Sequence, residues 1–291
     1  MIGIGRPAAH AGTFYPADPK RLGALVDRLL ADAPSHLPDL DTSRVVGAIV
    51  PHAGLEYSGA VAALGWATIG SVDPTTLVLA GTDHVSRASG VSVWTGGPWY
   101  GPLGEVPIDL VLAKRVAALG PPFGVDDRAH LHEHSLEVQL PFITRACPRA
   151  RIVPLLVSPR APAAGERGGD QLGELLADIR ATGERALLIA SSDFAHYPTD
   201  RIAREVNRLM LVPILALDEA ELGRREAEIE RRGTAGLVCG MCGVDPVRFT
   251  LAAVRKLGAT RGTVLGEATS ADAELGEPSR TVGYAAVVLH S

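Results

Sequence analysis

Three histidines each follow an apolar run: His52 after Val45–Val50, His84 after Thr76–Gly81, and His196 after Ala186–Ala190. Imidazole nitrogen is a common ligand for zinc, copper and iron, and it titrates close to neutral pH. Cys239 and Cys242, spaced Cys-x-x-Cys, add a thiolate once deprotonated. Nitrogen and sulfur donors together suit Zn, Cu(I) or Fe(II) rather than Mg or Ca. By itself the cysteine pair reads equally as a redox motif or as two small residues at a tight turn. Beside strand-terminal histidines, one of the two becomes a third ligand.

These residues meet only if the elements carrying them converge. Each apolar run reads as a strand buried on both faces, and Pro51, which cannot donate to a ladder, ends the first. Ligands of open α/β sheets bind at the carboxyl ends of the strands. Side chains leaving three such ends can therefore share one site although they are far apart in the chain. Arg151–Val157 and Thr281–Leu289 read as further strands.

Between the strands lie helical patterns. Asp18 and Pro19 open one with Leu22, Leu25 and Leu29 along a face, and Ser58 is expected to cap a second that ends near Gly70. Others span Asp109–Leu119, Asp170–Thr182, a charged stretch from Thr199 to Arg232, and the segment opened by Asp245-Pro246 with Val247, Leu251, Val254 and Leu257 inward. Residues Pro34–Ser43 read as a loop. Val91–Val106, broken by Gly and Pro and carrying Trp94, Trp99 and Tyr100, reads as a strand and then a loop that walls a pocket or packs on the surface. No repeat of fixed period and no shift of composition marks a boundary. The expectation is one α/β domain over residues 1–291, with a central, largely parallel or mixed sheet flanked by helices.

The run His130-Leu-His-Glu-His-Ser-Leu-Glu137 alternates His with Glu. His130 and His132 read as solvated side chains at a helix start. His134 and Glu137, spaced i, i+3, share a helical face that lines the site or forms a buried hydrogen-bonded pair. His10 reads as a surface residue.

Composition narrows the function classes. A hydrophobic fraction of 46% supplies a sizeable core, and 21% charged is ordinary for a soluble domain. A formal net charge of -5 without a basic cluster argues against nucleic acid or an anionic membrane as the main partner. No apolar run approaches the ~20 residues that span a bilayer. Met1–Pro7 lacks the charged-then-apolar pattern of a signal peptide. The three cysteines are too few for a disulfide framework, which points to a reducing, cytoplasmic setting.

Five motifs resemble the MEMO family, whose bacterial members are called AmmeMemoRadiSam system protein B. They are His10-Ala-Gly-Thr-Phe-Tyr-Pro, Pro51-His-Ala-Gly, Glu133-His-Ser-x-Glu-Val-Gln-Leu-Pro-Phe142, Ser191-Ser-Asp-Phe-x-His-Tyr197 and Cys239-Gly. They occur in family order over nearly the whole chain. The resemblance implies a fold similar to class III extradiol dioxygenases of the LigB type. It also implies a metal, iron or copper, held by two histidines and a cysteine: His52, His84 and Cys239. His196 then matches the acid/base histidine, with Asp193 beside it to orient the imidazole or raise its basicity. Asp83, His134 and Glu137 would surround the site.

Three departures stand out. Gly81-Thr-Asp-His84 replaces the family's Gly-Pro-Ser-His and adds the Asp83 carboxylate. Leu55 stands where an aromatic is usual, and Met241-Cys242-Gly243 follows Cys239-Gly.

The expected function is therefore that of a metal-dependent redox protein, dioxygenase-like, with Fe(II) first and Cu or Zn as alternatives. It would act on a small molecule with O2, at a site whose two imidazoles and one anionic ligand leave open coordination positions. The competing expectations are a non-catalytic metal-binding or adaptor protein and a zinc hydrolase. By resemblance, radical-SAM and AMMECR1-type proteins are the expected partners.

Overall fold

In chain order the strands are β1 (Val45–Val50), β2 (Thr76–Thr82), β3 (Val91–Val93), β4 (Trp99–Gly101), β5 (Gly104–Val106), β6 (Phe123–Val125), β7 (Arg151–Val157), β8 (Ala186–Ser191), β9 (Arg261–Thr269) and β10 (Gly283–His290). The helices are α1 (Pro19–Asp32), α2 (Leu55–Val72), α3 (Leu110–Ala117), the single turn α4 (Asp127–His130), α5 (Leu140–Ala146), α6 (Ala163–Ala181), α7 (Asp200–Leu215), α8 (Glu219–Arg232) and α9 (Val244–Lys256). The computed structural model describes residues 5–33, 40–85, 88–159 and 163–291. Residues 1–4 of the segment compared with a signal peptide, and 34–39 of the expected Pro34–Ser43 loop, lie outside the described residues.

Among the described residues one sheet holds eight strands, in the order β6-β3-β7-β2-β8-β1-β10-β9. Its centre, β7-β2-β8-β1, is parallel. Antiparallel pairings of β3 with β7 and of β1 with β10 make the whole sheet mixed. Val45–Val50, Thr76–Thr82 and Ala186–Ser191 are buried at every position, as expected for strands covered on both faces. Alternate residues feed two cores: Val78 and Ala80 face α6, α7 and α9, while Leu77 and Leu79 face α1, α2 and α5.

Local signals explain most boundaries. The Asp18 carboxylate accepts from Arg21 N at the start of α1, with Pro19 in the first turn. Ser58 does not cap α2: Gly54 does, and the Ser58 hydroxyl donates to the Ala53 carbonyl from inside the first turn. The charged stretch 199–232 is two helices. They break where Leu217 takes φ 55° and Asp218 caps α8 by accepting from Glu221 N. Helix α6 begins at Ala163, earlier than the expected Asp170. Val91–Val106 is a short strand followed by the β4–β5 hairpin rather than an open loop. Strand β9 was not anticipated. It lies at the sheet edge, half-exposed, and lacks the continuous apolar run of the inner strands.

Helices α6 and α9 approach closely because Gly169 and Gly173 face Phe249 and Ala253; a Cβ on Gly173 would stand 2.5 Å from the Ala253 carbonyl oxygen. Gly173→Ala is therefore expected to destabilise the chain by about 1–3 kcal/mol through overpacking. A urea unfolding midpoint that does not fall would contradict this. No helix among the described residues is long and apolar enough to cross a membrane.

Candidate metal centre

Strand β8 lies between β1 and β2, all parallel, so three neighbouring carboxyl ends open on the same edge. From β1 comes His52, from β2 His84, and from β8 Asp193 and His196. The fourth contributor is the turn before α9, a helix that packs across β1, β2, β7 and β8. Gly243 N donates to Ser192 Oγ at 3.0 Å, and Thr82 Oγ1 donates to the Cys242 carbonyl at 3.0 Å. A Cβ on Gly243 would fall 2.6 Å from the Ser192 side chain, so glycine lets this turn seat against β8.

The structure brings Cys242, rather than the expected Cys239, beside the two histidines. Ligand atoms of His52, His84 and Cys242 all lie within 4.8 Å of one another, and Cys242 Sγ is 3.2 Å from His52 Nε2. Cys239 belongs to none of the donor groups found among the described residues. It engages through its backbone, its carbonyl accepting from His196 N at 3.1 Å. The buried Glu226 carboxylate accepts from Gly240 N and Met241 N and fixes the chain between the two cysteines. A sequence cue for Cys242 existed: it stands immediately before the glycine that opens α9.

The hydrogen-bond network sets which imidazole nitrogen faces inward. The Ser191 hydroxyl donates to the Ser135 carbonyl at 2.6 Å, so it must accept from His52 Nδ1, 3.1 Å away. His52 thus presents its Nε2 lone pair to Cys242. The Glu133 carboxylate takes His84 Nδ1 at 2.9 Å and His84 N at 2.7 Å, which leaves His84 Nε2 free. Burial, and next the proximity of His84, push His52 down to about 3, so its imidazole is neutral at pH 7. Burial, with the Asp193 carboxylate next, pushes the Cys242 thiol well above its usual value. A divalent cation reverses that preference by stabilising the thiolate. Two neutral imidazoles and one thiol, oriented by buried partners, fit a borderline or soft ion.

The other expected residues divide. His134 joins the cluster, stacked on His84 at 4.5 Å between centroids, and Glu133 Oε1 lies 3.2 Å from its Nδ1. Burial, and then His52, hold its imidazole below the ordinary range. Glu137 does not line the site. It binds the N-terminal segment, accepting from Ala9 N, His10 N and Tyr15 Oη and pairing with Arg6 at 2.7 Å. The i, i+3 pair diverges because residues 134–139 turn into a short 3-10 segment rather than a regular helix. Asp83 is fully buried, but its carboxylate accepts from Ala88 N at 2.6 Å and joins no donor group among the described residues.

His196 donates from Nδ1 to the Phe194 carbonyl at 2.7 Å. That carbonyl, rather than Asp193, orients the ring. Asp193 instead accepts from His52 N and Ala53 N, at 2.7 and 3.2 Å, while remaining in a donor group with His196 and Cys242. Burial raises its pKa. His130 is buried rather than solvated, against Trp94 and Trp99 and bonded to Ser92 Oγ. His132 is exposed as expected. His10 reaches the rim of the cluster, with its ring 5.7 Å from His134 and its Nε2 donating to the His132 carbonyl. Glu133, the organiser of His84, was visible only as part of the His/Glu alternation.

Fold and site together define an α/β protein with an imidazole–thiol cluster at the carboxyl ends of its parallel strands. The chain belongs to the Memo-like family, whose sequence model matches residues 6–288. Relatives include a MEMO1 family protein of Methanopyrus kandleri, 36% identical over 97% of this chain and 98% of its own. Another, from Methanothermobacter thermautotrophicus, is 38% identical over 97% of this chain and 99% of its own. Among solved structures, an uncharacterized protein, JW3007, of Escherichia coli K12 matches with a TM-score of 0.50 at 17% identity. The match covers 84% of this chain and 99% of that one, and it shows the fold alone.

Proposed function

We propose that this protein is a metal-dependent redox protein that holds non-haem Fe(II), or copper, on His52, His84 and Cys242 and uses O2 on a small molecule. The observation that carries the reading is the mutual approach of the three donors within 4.8 Å, with both imidazoles turned by Ser191 and Glu133. When bound, such an ion supplies open coordination positions and electron density for dioxygen chemistry.

The chain's own residues do the rest. His196, with Nδ1 committed to the Phe194 carbonyl, has Nε2 available to take a proton from a substrate hydroxyl. Asp193 holds the His52 and Ala53 backbone and so fixes where the His52 ring starts. A cytoplasmic setting and radical-SAM or AMMECR1-type partners belong to the same proposal.

Elemental analysis of full-length protein purified without oxygen tests it. Near-stoichiometric iron or copper supports the reading. Zinc points instead to a hydrolase, and no bound metal points to an adaptor. Glu133→Gln is expected to weaken metal binding by about 10–100-fold, because His84 loses the carboxylate that orients it. Unchanged affinity in a chelator competition would remove that role from Glu133.

A further inference from the structure

A cavity of about 390 Å³ lies beside the cluster, walled by Ala53, Tyr57, Tyr197, Glu277, Arg280 and Tyr284 among others. Two of these residues adjoin the site directly in the chain: Ala53 follows His52, and Tyr197 follows His196. The cavity thus opens where the loops after β1 and β8 meet the segment that leads into β10.

Arg280 is the cation of this wall. Its guanidinium lies over the Tyr197 ring, 4.1 Å from the centroid, and no carboxylate among the described residues forms an ion pair with it. A guanidinium stacked by its face keeps its N–H edges for a planar, bidentate acceptor. Its position is fixed by the backbone. Tyr197 N donates to the Thr281 carbonyl at 2.6 Å, Thr281 N donates back to the Pro198 carbonyl at 2.8 Å, and His196 bridges to Val282. Tyr197 is held at φ 69°, a region that side chains with a Cβ rarely adopt. Such conformations persist where surrounding contacts enforce them, and they cluster at binding sites.

The remaining walls select the ligand. The half-buried Tyr57 and exposed Tyr197 supply apolar surface with polar tips, which suits a ring-bearing molecule of modest size, and the buried Tyr284 closes the wall behind them. The buried Tyr284 phenol is pushed above its usual pKa by burial and by Asp193, so it stays a neutral hydrogen-bond donor. Glu277 on the same wall disfavours a second negative charge.

We infer that this cavity binds a small, ring-bearing monocarboxylate, with Arg280 as the carboxylate anchor and Tyr57 and Tyr197 beside the ring. That the bound acid is also the substrate of the metal centre rests on the function proposed above; the binding itself does not.

Ligand-observed NMR titration of the full chain with benzoate, and with benzamide as its neutral isostere, tests the assignment. Benzoate is expected to bind about tenfold or more tighter than benzamide, and Arg280→Gln to remove that advantage by losing about tenfold in benzoate affinity. Arg280→Lys keeps the charge without the fork and should fall between. If Arg280→Gln misfolds by circular dichroism, Glu277→Gln provides the second reading and should tighten benzoate. Equal binding of benzoate and benzamide, full benzoate affinity in Arg280→Gln, or weaker benzoate binding in Glu277→Gln would each overturn the assignment. Metal content measured on the same samples separates the two ideas. Arg280-dependent benzoate binding to protein that takes up no metal removes the metal reading and leaves the cavity. Metal-loaded protein indifferent to the charge of the probe does the reverse.

Discussion

Cys242→Ser is expected to abolish tight metal binding, lowering affinity by more than about 100-fold, beyond the loss typical for an outer-shell partner. Cys239→Ser is expected to stay within a few-fold of the parent protein on the same general grounds. The asymmetry follows from placement. Cys242 Sγ sits 3.2 Å from His52 Nε2, on the side of the ring that Ser191 leaves free. Serine keeps the shape but offers a hydroxyl, which is far less acidic than a thiol and a poorer ligand for soft ions. Cys239 offers the site its carbonyl, which accepts from His196 N, and burial, followed by the Glu226 and Glu230 carboxylates, pushes its thiol up to about 12. Anaerobic titration against a chromophoric chelator decides the matter. Tight binding retained in Cys242→Ser and lost in Cys239→Ser would reverse the assignment of the ligand.

Arg6→Ala should cost about 3–5 kcal/mol, the usual penalty for stripping one partner from a buried ion pair. For a chain of this size that is a fall in Tm of about 10 °C. Arg6 is fully buried, pairs with Glu137 at 2.7 Å, and donates to the His130 and Glu133 carbonyls at 2.6 and 2.8 Å. Its guanidinium also stacks 4.4 Å from the Trp99 ring centroid. The substitution therefore leaves an uncompensated carboxylate inside and frees the backbone of Glu133, the residue that orients His84.

The same pair gives a pH dependence. Burial opposes the ionisation of Glu137, but Arg6 and the Tyr15 hydroxyl outweigh it and hold its pKa below the ordinary 4.5. The stability it contributes is thus full above about 4.5 and is lost as the pH falls through the lower folded value. Thermal melts of the parent and of Arg6→Ala from pH 7 downward should converge in acid. Parallel curves, or a Tm shift of only a degree or two at pH 7, would show that the pair is not what ties the N-terminal segment down.

Much of the architecture was legible along the chain because it rests on short-range signals. Short continuous apolar runs bounded by turn residues read as strands covered on both faces, and β1, β2 and β8 are such runs. Asp18-Pro19 and Asp109 mark helix starts by their own chemistry. Elements without such a signature were lost. Strand β9 is an edge strand that gains its place by pairing with β10, and the β4–β5 hairpin is defined by backbone bonds rather than by pattern.

The site divides along the same line. The sequence by itself determined that imidazoles 52, 84 and 196 leave the ends of buried strands, because a strand's direction and its end are written in adjacent residues. Only the tertiary structure decided which cysteine joins them, since residues 239 and 242 differ by the path of one turn, pinned by Ser192, Thr82 and Glu226 from three other elements. It likewise sent Glu137 to Arg6 and Glu133 to His84. A carboxylate takes the partner that folding brings within reach, and neither partner is near it in the chain.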